Sequence, residues 1–177
     1  TAEPGSGCLS SVVVLEERLG VRNSPGFDGA AACTGFVYAL GVAEKFIRSG
    51  GTGRALVVGA ELFSRIIDWS DRGTCVLFGD GAGAVVLEAA DEPGILSVHL
   101  HADGCYEDLL GVPWGVGQGY GALSDANRWP QMRGNEVFQV AVRTLGRIVD
   151  ETLAASGMEK GDVGWLIPHH SNRPLLA

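Results

Sequence analysis

The spacing of apolar residues predicts three helices along the chain. Val12–Leu19 reads as a helix that stops at Gly20, a residue suited to the C-terminal end of a helix. A second helix, ending at 49–51, follows from four apolar residues spaced by four, three and four positions: Phe36, Leu40, Ala43 and Ile47. A longer helix running to Gly157 follows from five more at helical spacing: Phe138, Val142, Leu145, Val149 and Leu153.

Short apolar runs between these helices predict buried strands. They are Ala55–Gly59, Cys75–Phe78, Gly83–Glu88, Ile95–His101 and Val163–Ile167. Phe27–Ala32 reads as a short strand or extended segment, and Asp80-Gly81 has the residue types of a hairpin turn. Strands that alternate with helices are typical of an α/β fold, so this is the predicted fold class.

Two stretches lack regular periodicity and divide the chain. The acidic turn Asp91–Gly94 contains proline and glycine and is the clearest boundary in the sequence. Asp103–Gln131 is rich in glycine and aromatic residues, which predicts a long functional loop. The sequence starts within a region that contains a helix and stops just after a predicted strand, so we expect the chain to be a fragment of a longer protein.

Charge and cysteine usage narrow the class of protein. The net charge of −8 disfavours nucleic acid as a partner, because phosphate binding needs an excess of Lys and Arg. The sequence has no signal-peptide pattern and no apolar run of membrane-spanning length, which predicts a cytoplasmic protein that does not enter the membrane. Its four cysteines are scattered without metal-ligand spacing, so neither a metal site nor a disulfide is expected.

Cys33 is the candidate nucleophile. It lies among small residues in the stretch 28–36, where an extended segment meets the second predicted helix. Unpaired N–H groups and the helix dipole favour a thiolate at such a position, and the N–H of Cys33 itself is a candidate oxyanion donor. The local pattern fits a buried structural cysteine equally well. For Cys8, Cys75 and Cys105 the structural interpretation is preferred.

Histidines follow a predicted strand near the end of the chain. His169, His170 and Asn172 come directly after 163–167, and ligands of open α/β sheets bind beyond the carboxyl ends of strands. An imidazole there can hydrogen-bond a developing oxyanion, whereas Asn172 would also serve as an ordinary helix cap. His99 and His101 share one side of a strand without a visible third ligand, so they are interpreted as solvated or packed.

Two further motifs are interpreted as structural. The run 79–83 resembles a nucleotide-binding loop, but a strand pattern follows it where a dinucleotide fold requires a helix. In 68–74, Trp69 lies near Arg72, a combination suited to stacking a nucleobase. Without further context the second motif is interpreted as an exposed turn.

Taken together, these residues resemble the β-ketoacyl-acyl-carrier-protein synthase III family of the thiolase superfamily. The resemblance rests on seven stretches that span nearly the whole chain: Asp28–Phe36, Ala55–Ala60, Asp71–Gly73, Phe78–Leu87, His99–Gly104, Gly134–Phe138 and Trp165–His169. It implies a layered α-β-α-β-α fold, present in part, and a homodimer. Residues 1–91 would be the latter part of the N-terminal half, and 92–177 the first part of the C-terminal half.

The resemblance also implies a chemistry. Cys33 would accept an acyl group from acyl-CoA, and malonyl-acyl carrier protein would lose carbon dioxide and attack the resulting thioester. His169 would stabilise the enolate oxygen, and no cofactor is expected beyond these substrates. Residues that line the family's CoA and pantetheine channel fall on four positions: Arg72, Gly134, Phe138 and Asn172.

The sequence departs from the family pattern at several positions. Pro174 stands where the family has an arginine that docks the carrier protein, and Gln139 stands where a basic residue often follows the Phe. Residues 8–10 replace a segment that shapes the acyl pocket, so acyl-chain preference stays open. A specialised-metabolism acyltransferase and a catalytically incompetent fragment are the alternatives.

Overall fold

The computed structural model describes residues 10–92 and 94–169. In this part of the chain the helices are α1 (Ser11–Leu19), α2 (Gly35–Arg48), the short α3 (Arg72–Cys75) and α4 (Gly134–Ser156). The strands are β1 (Arg54–Leu62), β2 (Asp80–Glu88), β3 (Leu110–Gly111) and β4 (Gln131–Met132). Helices and sheets occur together, as the α/β prediction requires.

The three predicted long helices are confirmed, and local chemistry explains where they end. The Ser10 hydroxyl accepts a hydrogen bond from the Val12 N–H and so caps the start of α1. Gly20 and Gly157 end α1 and α4 in the left-handed conformation, with φ of 68° and 64°. Because these caps are encoded within a few residues, the sequence located both helix ends.

The main sheet is an antiparallel pair of β1 and β2, in register from Arg54↔Glu88 to Leu62↔Asp80. Val57 is buried on the side that packs against α2, whereas Leu56 and Val86 are exposed on the other side. Alternating side chains therefore give this sheet one face against a helix and one open apolar face.

Two predictions around this sheet are wrong. Cys75–Phe78 is not a strand, since Cys75 is the last residue of α3, which Asp71 caps by accepting from the Gly73 N–H at 3.0 Å. Asp80 and Gly81 do not form a hairpin turn either, because they belong to β2 and pair with Leu62 and Glu61. Residues 63–79 connect the two strands, so the turn chemistry of Asp-Gly is overridden by long-range pairing.

Two other predicted strands are also absent from the described part of the chain. Residues 95–101 are extended but have no strand partner there, and they contact α4 through Ser97 and Ser156, whose hydroxyls lie 3.0 Å apart. Residues 163–167 are also unpaired, and Ile167 is 90% exposed. An apolar run becomes a strand only when a second strand offers hydrogen bonds.

The predicted loop 103–131 is mostly irregular, with short 3₁₀ turns. Its base is closed by the β3–β4 ladder, Leu110↔Met132 and Gly111↔Gln131. Inside the loop the Trp114 indole N–H donates to the Gly119 carbonyl at 3.2 Å, and the Asn127 side chain accepts from the Ser124 N–H. The loop thus satisfies some of its polar groups internally, and it leads directly into α4.

The described residues form two compact units. One holds residues 10–62 and 80–92, and the other holds 63–79 and 94–169. The proposed division into family halves at residues 91 and 92 stays a prediction. In the part of the chain described, no helix combines the length and apolar character needed to cross a membrane.

Candidate active site around Cys33

Cys33 lies in the 3₁₀ turn Ala32–Thr34, immediately before α2 begins at Gly35. The turn is closed by two hydrogen bonds to the Ala31 carbonyl, one from the Thr34 N–H at 3.1 Å and one from the Thr34 hydroxyl at 2.8 Å. The Cys33 thiol is exposed. The structure therefore has Cys33 at the start of a helix, where the sequence predicted it, and accessible to a reagent.

The backbone just before Cys33 is strained. Ala32 has a φ of 43°, in the left-handed region where a Cβ is crowded. An alanine held there costs on the order of 1–2 kcal/mol, so the surrounding structure must fix it. Backbone strain of this kind clusters at functional sites, which supports a functional interpretation of this turn.

The electrostatic environment raises the pKa of the Cys33 thiol. Although the residue is exposed, desolvation of its sulfur by the surrounding protein is the main cause. The backbone N–H of Cys33 lowers the pKa, and the Glu61 carboxylate raises it. The sequence suggested that the helix start would favour the thiolate. That expectation is wrong in its net direction, because desolvation and a nearby negative charge outweigh the N–H group.

Close packing fixes α2, and with it the turn that carries Cys33. A Cβ placed on Gly59 of β1 would lie 3.3 Å from Cδ2 of Phe36, so the ring rests directly on the strand backbone. Phe36 is in the first turn of α2, three residues after Cys33. Contact between β1 and α2 therefore fixes the position of the turn that carries the nucleophile.

Arg72 is the first residue of α3 and is exposed. Among the described residues its guanidinium has no hydrogen-bond or ion-pair partner, so it is available to an anion. The preceding turn is fixed by Asp68, which accepts from the Ser70 N–H at 2.8 Å and from the Ser70 hydroxyl at 2.6 Å. Trp69 is exposed, and its indole N–H donates to the Ser64 carbonyl at 3.3 Å.

Gly134 and Phe138 lie at the start of α4, four residues apart and so on one side of the helix. Gly134 is exposed with the Met132 methyl 3.6 Å from the position of an added Cβ, while Phe138 is half-buried. The next helical turn carries Arg143, whose Nε–H donates to the Gln139 carbonyl at 3.2 Å. Two of the predicted channel residues therefore share a face.

His169 is exposed and is the last residue that the structure describes. Asn172, His170 and Pro174 lie outside the described residues. Cys33 belongs to one compact unit, and Arg72, Gly134, Phe138 and His169 belong to the other. Their roles in catalysis and binding stay predictions.

Glu151 on α4 joins the two histidines that the sequence left without a partner. His99 Nδ1 lies 3.1 Å from its carboxylate and His101 Nε2 lies 3.0 Å from it. His99 is thus packed and His101 is exposed, in agreement with the interpretation that they are packed or solvated. Within the described ranges no cluster of His, Cys, Asp or Glu is arranged to hold a metal ion. A single sequence offered no way to pair residues so far apart.

Glu61 is the residue near Cys33 that the sequence analysis missed. It stands near the end of β1, and its charge acts on the thiol across space. In the sequence it is one of 21 acidic residues, without a motif around it. Its proximity to Cys33 depends on the packing of β1 against α2.

Comparisons with known proteins show similarity over the stretch that contains Cys33. The model of the family described as 3-oxoacyl-[acyl-carrier-protein (ACP)] synthase III matches residues 27–104, which include Cys33 and Arg72. The β-ketoacyl-[acyl-carrier-protein] synthase III of Alkalilimnicola ehrlichii is 61% identical over 99% of this chain and 55% of its own length. That of Methylococcus capsulatus is 54% identical over 100% and 54%. The chain spans about half the length of these curated relatives.

Solved structures of named synthases superpose on this chain. The synthase III, FabH, of Pseudomonas aeruginosa PAO1 superposes with a TM-score of 0.88 at 38% identity, covering 99% of this chain and 53% of that one. The priming β-ketosynthase of the R1128 polyketide pathway gives a TM-score of 0.90 at 35% identity, covering 97% and 52%. This likeness confirms the predicted thiolase-like α/β fold, present in part. Over the length that it spans, the chain is similar to members of the 3-oxoacyl-[acyl-carrier-protein] synthase III family.

Proposed function

We propose that this chain carries the acyl-accepting site of an enzyme that starts fatty acid biosynthesis by decarboxylative Claisen condensation. The observation that carries the proposal is the exposed Cys33 thiol in a strained turn at the start of α2. The similarity to named synthases III supports the choice of a short acyl-CoA and malonyl-acyl carrier protein as substrates. In this proposal the enzyme is cytoplasmic and homodimeric.

In the first half-reaction the Cys33 sulfur, as its thiolate, attacks the acyl-CoA carbonyl. The C–S bond to CoA breaks, CoA leaves as a thiol carrying the proton that Cys33 lost, and the acyl group stays on Cys33 as a thioester. The raised pKa of Cys33 means that little thiolate exists at neutral pH, so proton removal is part of this step. The backbone N–H of Cys33 is suited to donate to the oxyanion.

In the second half-reaction malonyl-acyl carrier protein loses carbon dioxide and its α-carbon attacks the Cys33 thioester. A carbon–carbon bond forms, and the C–S bond to Cys33 breaks and regenerates the thiolate. His169 is proposed to hydrogen-bond the enolate oxygen, and the exposed guanidinium of Arg72 to bind CoA. Gly134, Phe138 and Asn172 are proposed to line the pantetheine channel.

A second candidate is an acyltransferase of specialised metabolism. It is favoured by the likeness to the R1128 priming ketosynthase, whose TM-score of 0.90 is as high as those of the synthases III. Both functions use Cys33 in the same first step and differ in the acceptor. The acceptor separates them: acyl transfer from Cys33 to malonyl-acyl carrier protein, with release of carbon dioxide, supports the first candidate, whereas transfer only to another acceptor supports the second.

The first step is tested by intact-protein mass after incubation with acetyl-CoA. The wild type should gain one acetyl group and Cys33→Ala none. Cys105→Ala is the matched control, because Cys105 is also exposed but lies in a different 3₁₀ helix, Gly104–Leu109. Retention of the acetyl group in Cys33→Ala would overturn the assignment of the nucleophile. No gain in a folded wild type would mean that this chain by itself does not perform the first step.

A further inference from the structure

The turn that presents the Cys33 thiol runs from Ala31 to Thr34, and one side chain closes it. Apart from the thiol, Thr34 has the only polar side chain in this turn. Its hydroxyl donates a hydrogen bond to the Ala31 carbonyl at 2.8 Å, and its backbone N–H donates to the same carbonyl at 3.1 Å. Thr34 therefore binds the first residue of the turn twice and closes the backbone around Ala32 and Cys33.

The Thr34 hydroxyl closes this turn instead of capping the helix that follows. Thr34 is the residue immediately before α2, where a threonine side chain ordinarily accepts a hydrogen bond from an N–H of the first helical turn. Its side chain makes no such bond to the described residues of α2, and its backbone is already helical, with φ of −92° and ψ of −3°. A side chain suited to stabilising α2 is thus used to fix the turn that precedes it.

The backbone that Thr34 encloses needs to be held in its conformation. Ala32 has a φ of 43°, which an alanine adopts only when the surrounding structure imposes it. The Ala32 carbonyl accepts from the Gly35 N–H, so the strained residue is bonded to the start of α2 as well as spanned by the bonds from Thr34 to Ala31. Without the hydroxyl the turn has one bond less against this strain, and Cys33 is the residue directly after Ala32.

Two groups of Cys33 depend on the conformation of this turn, its sulfur and its backbone N–H. The first N–H groups of a helix have no partner within the helix, and the N–H of Cys33 is one of these. During acylation the sulfur attacks the carbonyl carbon, negative charge collects on the carbonyl oxygen, and an N–H directed at that oxygen lowers the barrier. Because both groups belong to one residue, the backbone orientation at Cys33 determines whether they reach the same carbonyl group.

We propose that Thr34 is a positioning residue for the acylation of Cys33: its hydroxyl, bound to the Ala31 carbonyl, keeps the strained turn closed and so directs the sulfur and the N–H of Cys33 at one carbonyl group. The inference rests on the proposed role of Cys33 as the nucleophile. Thr34 touches no reacting atom, and it neither takes nor gives a proton in the reaction. It acts through the backbone of the turn.

The test compares reagents that make different demands on the turn, with peptide mass mapping to score Cys33 apart from the other cysteines. Acetyl-CoA and p-nitrophenyl acetate both acylate through an oxyanion, whereas iodoacetamide is attacked at a saturated carbon and forms none. Thr34→Val keeps the branched shape of the side chain and removes the hydroxyl. It should slow acylation of Cys33 by both acyl donors several-fold, while alkylation changes much less. With acetyl-CoA the loss should appear in the rate at saturation, and the half-saturating concentration should stay the same.

Three further variants separate positioning from a general effect on the fold. Thr34→Ser keeps the hydroxyl and should bring acylation back toward the wild-type rate, whereas Thr34→Ala, a second variant without the hydroxyl, should behave like Thr34→Val. The matched control is Thr52→Val, which removes a hydroxyl bond of the same length, 2.8 Å to the Arg54 carbonyl, in the same compact unit. Thr52→Val should leave both reactions unchanged. A merely structural role of Thr34 would change acylation and alkylation together, and that result would overturn the proposal.

The two acyl donors let this proposal and the proposed function fail separately. If acetyl-CoA acylates Cys33 equally fast in the wild type and in Thr34→Val, the role of Thr34 is wrong and the nucleophile stands. If p-nitrophenyl acetate shows the loss in Thr34→Val and its recovery in Thr34→Ser, but acetyl-CoA never acylates Cys33, the role of Thr34 stands and the proposed function of this chain is wrong. If neither donor acylates Cys33 of the folded wild type, both proposals are wrong.

Discussion

Replacing Gly59 by alanine tests whether the contact between β1 and α2 positions the nucleophile turn. The added Cβ would lie 3.3 Å from Phe36 Cδ2, 3.7 Å from its Cβ and 3.8 Å from its Cγ. Only the first distance is tighter than ordinary van der Waals contact, so the ring must move by a few tenths of an ångström. Overpacking costs about 1–3 kcal/mol, and a single short contact corresponds to the lower end, about 1 kcal/mol.

Gly83 provides a matched control within the same sheet. It pairs directly with Gly59 in the β1–β2 register, and nothing lies within 4 Å of its added Cβ. Both substitutions restrict the unfolded chain equally, which stabilises the fold by about 0.4–1 kcal/mol where the backbone permits alanine. The difference between Gly59→Ala and Gly83→Ala therefore isolates the packing cost, about 1 kcal/mol in favour of Gly83→Ala.

The assay is urea unfolding of both variants and the wild type, together with the rate of Cys33 acetylation. Gly83→Ala should unfold at a higher urea concentration than Gly59→Ala, with equal slopes in the three proteins. Acetylation should slow in Gly59→Ala only, because Phe36 follows Cys33 by three residues. Equal midpoints and equal acetylation rates in the two variants would refute the conclusion that this contact positions the site.

Two more predictions concern the second unit. Glu151→Ala removes the acceptor that two imidazoles share, so it should lower the free energy of unfolding by about 1 kcal/mol. The control is Asp150→Ala, which breaks an exposed ion pair with Lys160. In the same urea unfolding experiment it should lower the free energy of unfolding by less than about 0.5 kcal/mol. Hydrogen bonds from Ser70 lower the pKa of Asp68 from its ordinary value of 3.8. This carboxylate therefore stabilises the fold fully above pH 3.8, and the stabilisation is lost as the pH falls through the lowered pKa. Ser70→Ala should make the free energy of unfolding less dependent on pH across the acidic range, as measured by unfolding curves at several pH values. An unchanged pH dependence would contradict this role of Ser70.

The nucleophile and its turn show how far sequence reasoning extends. Small residues around Cys33 and the apolar spacing of the following helix placed the thiol at a helix start, and the structure agrees. These features are encoded within about one turn of helix, so they need no knowledge of distant residues. The net direction of the Cys33 pKa escaped the sequence, since it depends on desolvation and on Glu61.

The strands were predicted less completely from the sequence than the long helices. Ala55–Gly59 and Gly83–Glu88 were predicted and lie within β1 and β2. In contrast, 75–78 begins with the last residue of α3 and is not a strand, and 95–101 lies against α4 without a strand partner in the described residues. An apolar run has the same local pattern in all four cases. Its outcome depends on whether a second strand offers hydrogen bonds, and that is a contact between residues far apart in the chain.

The sequence by itself therefore determined the ends of the long helices, the position of Cys33 and the family that the chain resembles. Each of these is carried by neighbouring residues, through capping, periodicity or motif. The tertiary structure alone decided the β1–β2 register, the ring of Phe36 on Gly59, the effect of Glu61 on the pKa of the Cys33 thiol and the sharing of Glu151 by two histidines. These are contacts made through space, and their energies depend on distances that no local pattern encodes.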